Sequence, residues 1–374
     1  MVQTSINRTA YAELTTRAQQ EIDEGRLPSC QLALARNGEL LAFETLGVAT
    51  NETRYVVYSA TKGFMAGLVW LLIGDGALDV SRKVVDYFPE FGANGKDAVT
   101  VEQMLTYKSG FPRAPMGPET WKDRSARVDR MASWRLTAEP GTRYEYATTA
   151  NAWVMAEIVD RITGGDYRTL MTERISGPLG FSFRLGVPPS EQGDIARIEQ
   201  RGEPATSGEF QAALGVPAIN VGEVTDAALE SFNEPRHLEA GVPGAGGVGT
   251  AADLAMYYQA LLHNIGGLWD PDILADGTGN IRVSDPDMLF GGIPANRTLG
   301  LLVAGDDGKG FMRTFGHTVS ARAFGHPGAA GQLAWADPET GLSFGFVTNG
   351  IDVHLLRQFR RGVSLASKAG NCVG

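Results

Sequence analysis

Two cysteines in 374 residues, Cys30 and Cys372, stand at opposite ends of the chain with no metal-like spacing. A disulfide scaffold is excluded, and both are expected to be free thiols in a reducing compartment. The five histidines, His237, His263, His317, His326 and His354, show no H-x-x-x-H or similar ligand pattern, so neither a metal nor a cofactor is expected. No window approaches 18 uninterrupted apolar residues, and residues 1–8 carry no apolar leader core, which leaves no membrane span and a cytoplasmic location as the expectation. Positive charge is scarce as well. Thirty-three Lys and Arg against 43 Asp and Glu give a net charge of −10, which argues against a nucleic-acid binder and against attraction to anionic membranes. A small neutral or apolar molecule remains as the partner class, and self-association into a homo-oligomer is compatible with all of this.

What the chain does have is one stretch, residues 57–72, in which Ser59 and Lys62 are three positions apart at the head of an apolar run. On a helix that spacing stacks the two side chains on one face. Phe64, Leu68, Leu71 and Leu72 follow at helical spacing as the buried stripe. A serine in the first helical turn has backbone N–H groups and the positive dipole end beside it, suited to a developing oxyanion. A lysine within reach serves as a base when burial or a nearby cation lowers its pKa. The bland alternative is a capping serine followed by a surface lysine.

Around this stretch, residues 11–25 read as a helix, and 31–35 and 40–46 as strands joined by Asn37-Gly38, a hairpin turn signal. Helical segments punctuated by Pro and Gly occupy the middle. Among them are 101–107, capped by Thr100, and a helix after Tyr146 with Trp153, Ala156, Val159 and Ile162 as its stripe. Residues 191–229 are polar and weakly patterned. Strand signals return after Gly241, with a helix at 252–262, strands at 331–337 and 342–349 and a closing helix at 353–368. Strands at both ends with helices between predict one α/β lobe, residues 1–78 and 241–374, with a helical lobe, 79–240, inserted.

Two further motifs are weighed and set aside. Gly341-Leu342-Ser343-Phe344-Gly345 fits G-x-S-x-G, yet Leu342, Phe344 and Phe346 alternate as one strand with no helix behind the serine. Gly244-Ala245-Gly246-Gly247-Val248-Gly249 fits G-x-G-x-x-G, but Pro243 spoils the strand that a dinucleotide cradle needs, so a flexible loop beside a pocket is expected.

Taken in order, Ser59-Ala60-Thr61-Lys62, Leu105-Thr106-Tyr107-Lys108-Ser109-Gly110-Phe111, Pro140-Gly141-Thr142-Arg143-Tyr144-Glu145-Tyr146, Gly246-Gly247-Val248-Gly249-Thr250 with Asp253-Leu254, and His326-Pro327-Gly328 form one constellation. It resembles the serine β-lactamase-like superfamily of class C β-lactamases, penicillin-binding D-Ala-D-Ala peptidases and family VIII carboxylesterases, over about residues 10 to 365. It is most like the family VIII carboxylesterases. The resemblance implies an α+β fold of the β-lactamase/transpeptidase type: an antiparallel sheet flanked by helices, with an inserted all-helical lobe. It also implies Ser59 as acyl-accepting nucleophile, Lys62 and Tyr146 as the proton-transfer pair, and backbone N–H groups of Ser59 and Ala329, the latter on the strand edge after Gly328, as the oxyanion hole.

Two departures shape the expected substrate. The Y-x-N motif reads Tyr146-Ala147-Thr148, and the K-T-G motif reads His326-Pro327-Gly328. The lysine and threonine that would hold a substrate carboxylate are both absent, and proline donates no hydrogen bond in their place. The expectation is a serine hydrolase of small neutral or lipid-like carboxylic esters. An amidase, a D-aminopeptidase, a β-lactamase-type hydrolase or an acyltransferase on the same scaffold is the alternative. Tyr107, Phe111, Trp121 and Trp134 are the expected pocket walls.

Overall fold

A computed structural model describes residues 6–218, 222, 224–288 and 291–373. Residues 1–5 of the amino terminus, and 219–221 and 223 of the weakly patterned stretch, lie outside the described residues.

The organising layer is a six-stranded antiparallel sheet. Its strands are β1 (Ser29–Arg36), β2 (Glu39–Gly47), β7 (Leu302–Val303), β8 (Phe324–Gly325), β9 (Leu333–Asp337) and β10 (Leu342–Thr348), in the order β2-β1-β10-β9-β8-β7. The Asn37-Gly38 turn forms as expected, with both residues at positive φ (53° and 82°), the twist that a two-residue hairpin requires.

Period-two alternation sorts side chains by size on this sheet. Leu32, Leu34, Phe344, Phe346, Leu333 and Trp335 pack on one face against α1 (Arg8–Asp23) and the closing helix α7 (Leu355–Gly370). The opposite face carries Ala33, Ala35, Ala334, Ala336 and Gly345, because α6 (Ala251–His263) lies nearly on the backbone there. A Cβ on Gly345 would stand 2.2 Å from the Ala251 carbonyl oxygen.

Beyond α6 sits the helix that the sequence pointed to first. It opens with a 3₁₀ turn, Tyr58–Ala60, and continues as α2 (Thr61–Gly74), buried along nearly its whole length. The inserted segment then supplies α3 (Val101–Leu105), α4 (Arg124–Ser133) and α5 (Ala150–Thr163). Thr100 caps α3 in a reciprocal box with Gln103, and Gly164 ends α5 in the left-handed conformation.

Short strands stitch this insert to the sheet layer. β3 (Tyr55–Val56), β4 (Arg184–Leu185) and β6 (Gly247–Gly249) pair in the order β3-β6-β4, and β5 (Glu199–Arg201) runs parallel to β11 (Gly350–Asp352). The glycine-rich run is therefore not a flexible loop. Its second half is the buried central strand β6, and glycine is required there because a Cβ on Gly247 would meet Phe183 and Thr61 at 2.6 Å.

Candidate active site

Ser59 lies where a strand is forced to stop. β3 ends at Val56, and Tyr58 takes φ +46°, a backbone conformation rarely adopted by a ring-bearing residue. The strain is held from outside: the Tyr58 ring meets Phe232 edge-on at 5.9 Å, and its hydroxyl donates to the Leu229 carbonyl at 3.3 Å. The reversal leaves Ser59 half-exposed between buried Tyr58 and Ala60.

Lys62 follows one turn later with its Nζ 2.9 Å from Ser59 Oγ, and it donates to the Gly244 carbonyl at 2.7 Å. It is 5% exposed, so the surface-lysine alternative falls. Burial, reinforced by the Arg297 cation, pushes its pKa well below that of a free lysine. A mostly apolar cavity of about 40 Å³, lined by Met65, Met104, Tyr107 and Met155 among others, lies against its flank. A neutral amine here can donate to Gly244 and still offer its lone pair to the Ser59 proton.

Tyr146 is not on a helix; it sits on the approach to α5, four residues before that helix begins. Its hydroxyl lies close enough to Ser59 to be influenced by it, and its ring centroid is 5.2 Å from Lys62 Nζ. Burial raises its pKa above that of a free tyrosine, only partly offset by Arg297 and Ser59. Thr148 lies on the same approach, its carbonyl oxygen 3.1 Å from where a Cβ on Gly244 would sit.

The opposite wall carries His326, Gly328 and Ala329. The sequence placed Ala329 on a strand edge, but β8 ends at Gly325. His326 N–H still bonds the Ala334 carbonyl at 3.1 Å, and Ala329 then opens a 3₁₀ turn whose middle residue, Ala330, has φ +58°. Gln332, next in the chain, is anchored beside the Ser59 turn. Its Nε2 donates to the carbonyls of Val56 (3.2 Å) and Thr348 (2.8 Å), while its Oε1 accepts from Thr348 N–H at 2.8 Å. The His326 ring is tilted over Tyr146, centroids 6.0 Å apart, and its Nδ1 lies 2.8 Å from the Pro327 carbonyl. A carbonyl only accepts, so Nδ1 carries the proton. Burial first, then the Arg297 cation, hold the imidazole neutral.

Arg297 is the participant that sequence reading missed. Fully buried, its guanidinium carbon lies 4.9 Å from the Tyr107 ring centroid, 5.0 Å from that of Tyr146 and 5.9 Å from that of Tyr144. Nε donates to Tyr144 Oη at 3.0 Å, and that hydroxyl donates to Asp287 at 3.3 Å. One signal could have found it: a lone charge inside the apolar run 293–303 must be buried and matched by polar or π partners.

Ser343 is excluded as a nucleophile. It is fully buried in β10, donating to the Ala255 carbonyl at 2.7 Å and accepting from Gln259 at 2.9 Å. Of the expected walls, Tyr107 lines the cavity behind Lys62, and Trp121 stacks on Phe232 above the Tyr58 turn. Phe111 and Trp134 instead pack with Phe91 in the core of the insert. Among the described residues no group of three or more His, Cys, Asp or Glu could hold a metal, and no helix is long and apolar enough to cross a membrane.

The sequence profile of the beta-lactamase family matches residues 14–360. The chain belongs to that family. Within this beta-lactamase family it is 29% identical over 312 residues to the esterase/beta-lactamase LipL of Mycobacterium tuberculosis, covering 79% of this chain and 68% of LipL. Among solved structures it is similar to a family VIII carboxylesterase, with a TM-score of 0.79, 25% identity and 97% of each chain covered. It is also similar to a penicillin-binding protein homologue from Caulobacter crescentus, with a TM-score of 0.78, 26% identity and 96% of each chain covered. The fold is the β-lactamase/transpeptidase-like α+β fold, and the chain is a serine hydrolase of the beta-lactamase family.

Proposed function

We propose that this chain is a carboxylesterase acting on neutral esters through an acyl-enzyme on Ser59. The observation that carries the reading is the state of His326. At the position where the superfamily keeps a lysine, a buried imidazole is held neutral and spends its one N–H on the carbonyl of its own neighbour Pro327. Neither a charge nor a hydroxyl is offered there to a substrate carboxylate, and Pro327 offers no N–H. Neutral acyl groups lose nothing by this.

In acylation, neutral Lys62 takes the Ser59 hydroxyl proton as Oγ bonds to the acyl carbon, and the carbonyl electrons move onto oxygen. The N–H groups of Ser59 and Ala329 receive that oxyanion. As the C–O bond to the alcohol breaks, Tyr146 gives its proton to the leaving alkoxide and recovers one from Lys62. Water then attacks the acyl-enzyme, its proton returns through the same pair, and Ser59 is released with the acid. Tyr146 starts as a neutral phenol because burial outweighs the cation beside it, which favours Lys62 over Tyr146 as the first base.

LipL carries both esterase and beta-lactamase in its name, so the two activities must be measured side by side. A p-nitrophenyl ester panel of increasing acyl length, run against nitrocefin, makes the comparison. The ester is expected to lead in kcat/KM by at least about 10²-fold, the order of discrimination that an unmet polar group imposes. Nitrocefin turnover equal to that of the best ester would sink the proposal.

A further inference from the structure

Arg297 has no part in binding, for it is fully buried behind three tyrosine rings, yet its charge faces every titratable group of the site. We propose that Arg297 is a positioning residue of the reaction: a buried cation, caged by Tyr107, Tyr144 and Tyr146, that keeps Lys62 in its neutral, proton-accepting form and eases proton delivery from Tyr146 to the leaving alkoxide. The inference rests on the esterase reading above and assigns the cation that the His326-Pro327-Gly328 segment lacks.

The geometry carries it. The guanidinium lies over the faces of Tyr107 and Tyr146 at 4.9 and 5.0 Å, and Lys62 Nζ approaches the same Tyr146 ring at 5.2 Å. Both groups therefore lie over one ring, and a proton on Lys62 is repelled by the nearby guanidinium. The guanidinium is effectively always charged, whereas a buried ammonium can lose its proton, so Lys62 gives way. The shift of Lys62 toward neutrality has Arg297 as its cause after burial, and His326 feels the same cation.

The arginine is tethered through a neutral hydroxyl, and the charge of one buried acid, Asp287, acts on it from behind that hydroxyl. Its Nε is fixed by Tyr144 Oη at 3.0 Å, and among the described residues its buried Nη1 has no hydrogen-bond partner. The acid that faces it, Asp287, is reached through the Tyr144 hydroxyl at 3.3 Å. Asp285, from the same segment, is engaged by Lys108 at 3.2 Å. The groups facing Lys62 are thus Ser59, Tyr107, Tyr146, His326 and Arg297. When Tyr146 releases its proton to the alkoxide, the phenolate that forms for an instant has the guanidinium 5.0 Å from its ring centroid, and that cation stabilises the negative charge.

The test compares Arg297→Met, whose apolar stem keeps the rings packed, with Arg297→Lys, each checked for a wild-type thermal transition. The first readout is the rate of Ser59 labelling by a fluorophosphonate against pH. Losing the cation is expected to move the ascending limb of Arg297→Met upward by at least about one unit, about a tenfold loss at neutral pH recovered in alkali, with Arg297→Lys staying near wild type. The second readout is leaving-group dependence. Arg297→Met is expected to lose more on ethyl esters, which need a proton delivered, than on p-nitrophenyl esters, which do not. A uniform loss at all pH values and for both esters in Arg297→Met overturns the inference. So does an Arg297→Lys limb displaced like that of Arg297→Met, which also decides the matter if Arg297→Met does not fold. Absence of Ser59 labelling in the wild-type protein would instead strike the esterase reading itself.

Discussion

Gly328 lies against Val57: a Cβ built on the glycine would stand 2.2 Å from the Val57 carbonyl oxygen and 2.9 Å from Gln332 Cβ. Two backbones from opposite ends of the chain meet there without a side chain between them, and this contact seats Ala329 beside the Ser59 turn.

On the proposed mechanism, Gly328→Ala must push Ala329 away from the Ser59 turn. Its kcat is expected to fall by about 10²–10³-fold, the value of one oxyanion donor. Steady-state ester kinetics beside a melting curve check this, and a variant with wild-type kcat would contradict the geometry.

Lys62 and Tyr146 should separate by leaving group. Lys62→Ala is expected to lose acylation by about 10²–10⁴-fold with every ester, the range of a general base. Tyr146→Phe should retain most of its acylation by p-nitrophenyl esters and lose it with alkyl esters. Stopped-flow burst amplitudes distinguish the two, and the opposite pattern would make Tyr146 the first base.

Asp160 titrates near neutrality. It is buried at the end of α5, where burial above all raises its carboxyl to about 7 even though it accepts from Tyr167 N–H at 2.6 Å. A raised carboxyl binds its proton more tightly in the folded than in the unfolded chain. Its contribution is therefore full below the unfolded value of about 4 and is lost as pH rises through 7. Asp160→Asn is expected to lose less thermal stability than the wild type between pH 5 and pH 8, and parallel melting curves of the two proteins would disprove it.

Arg361, Glu21 and Asp352 form a buried network in which one guanidinium nitrogen lies 3.2 Å from each carboxylate. Another nitrogen of Arg361 lies 3.2 Å from where a Cβ on Gly331 would sit, against the oxyanion turn. Arg361→Ala leaves two buried carboxylates with a partner removed. Glu21 keeps Arg17 and Asp352 keeps Arg357, so by urea unfolding the substitution is expected to cost less than the roughly 3–5 kcal/mol of a fully unpaired buried charge, with kcat reduced as the turn loosens. Loss of activity at unchanged stability would mean that the network serves the turn alone.

Local physics is why so much was legible beforehand. The Asn37-Gly38 turn, the Thr100 cap, the alternation through Ser343 and the helical spacing of Ser59, Lys62 and Phe64 are all decided within a few residues of chain. Each stands in the structure close to where the sequence put it. The residue types that mark the site, a serine and lysine one turn apart and a tyrosine behind a Pro-Gly turn, were likewise readable as a pattern.

What tertiary structure alone decided is charge and approach. Whether Lys62 is ammonium or amine depends on a buried environment and on Arg297, 235 positions away in the chain, and no local rule reaches that far. The glycine-rich run looked like a loose loop because glycines are ambiguous in isolation. Only the neighbours Phe183 and Thr61 show that a strand must pass where no side chain fits. Sequence offers the candidate reacting groups because their chemistry is intrinsic; their protonation and seating belong to the fold, because both are set by atoms that only folding brings near.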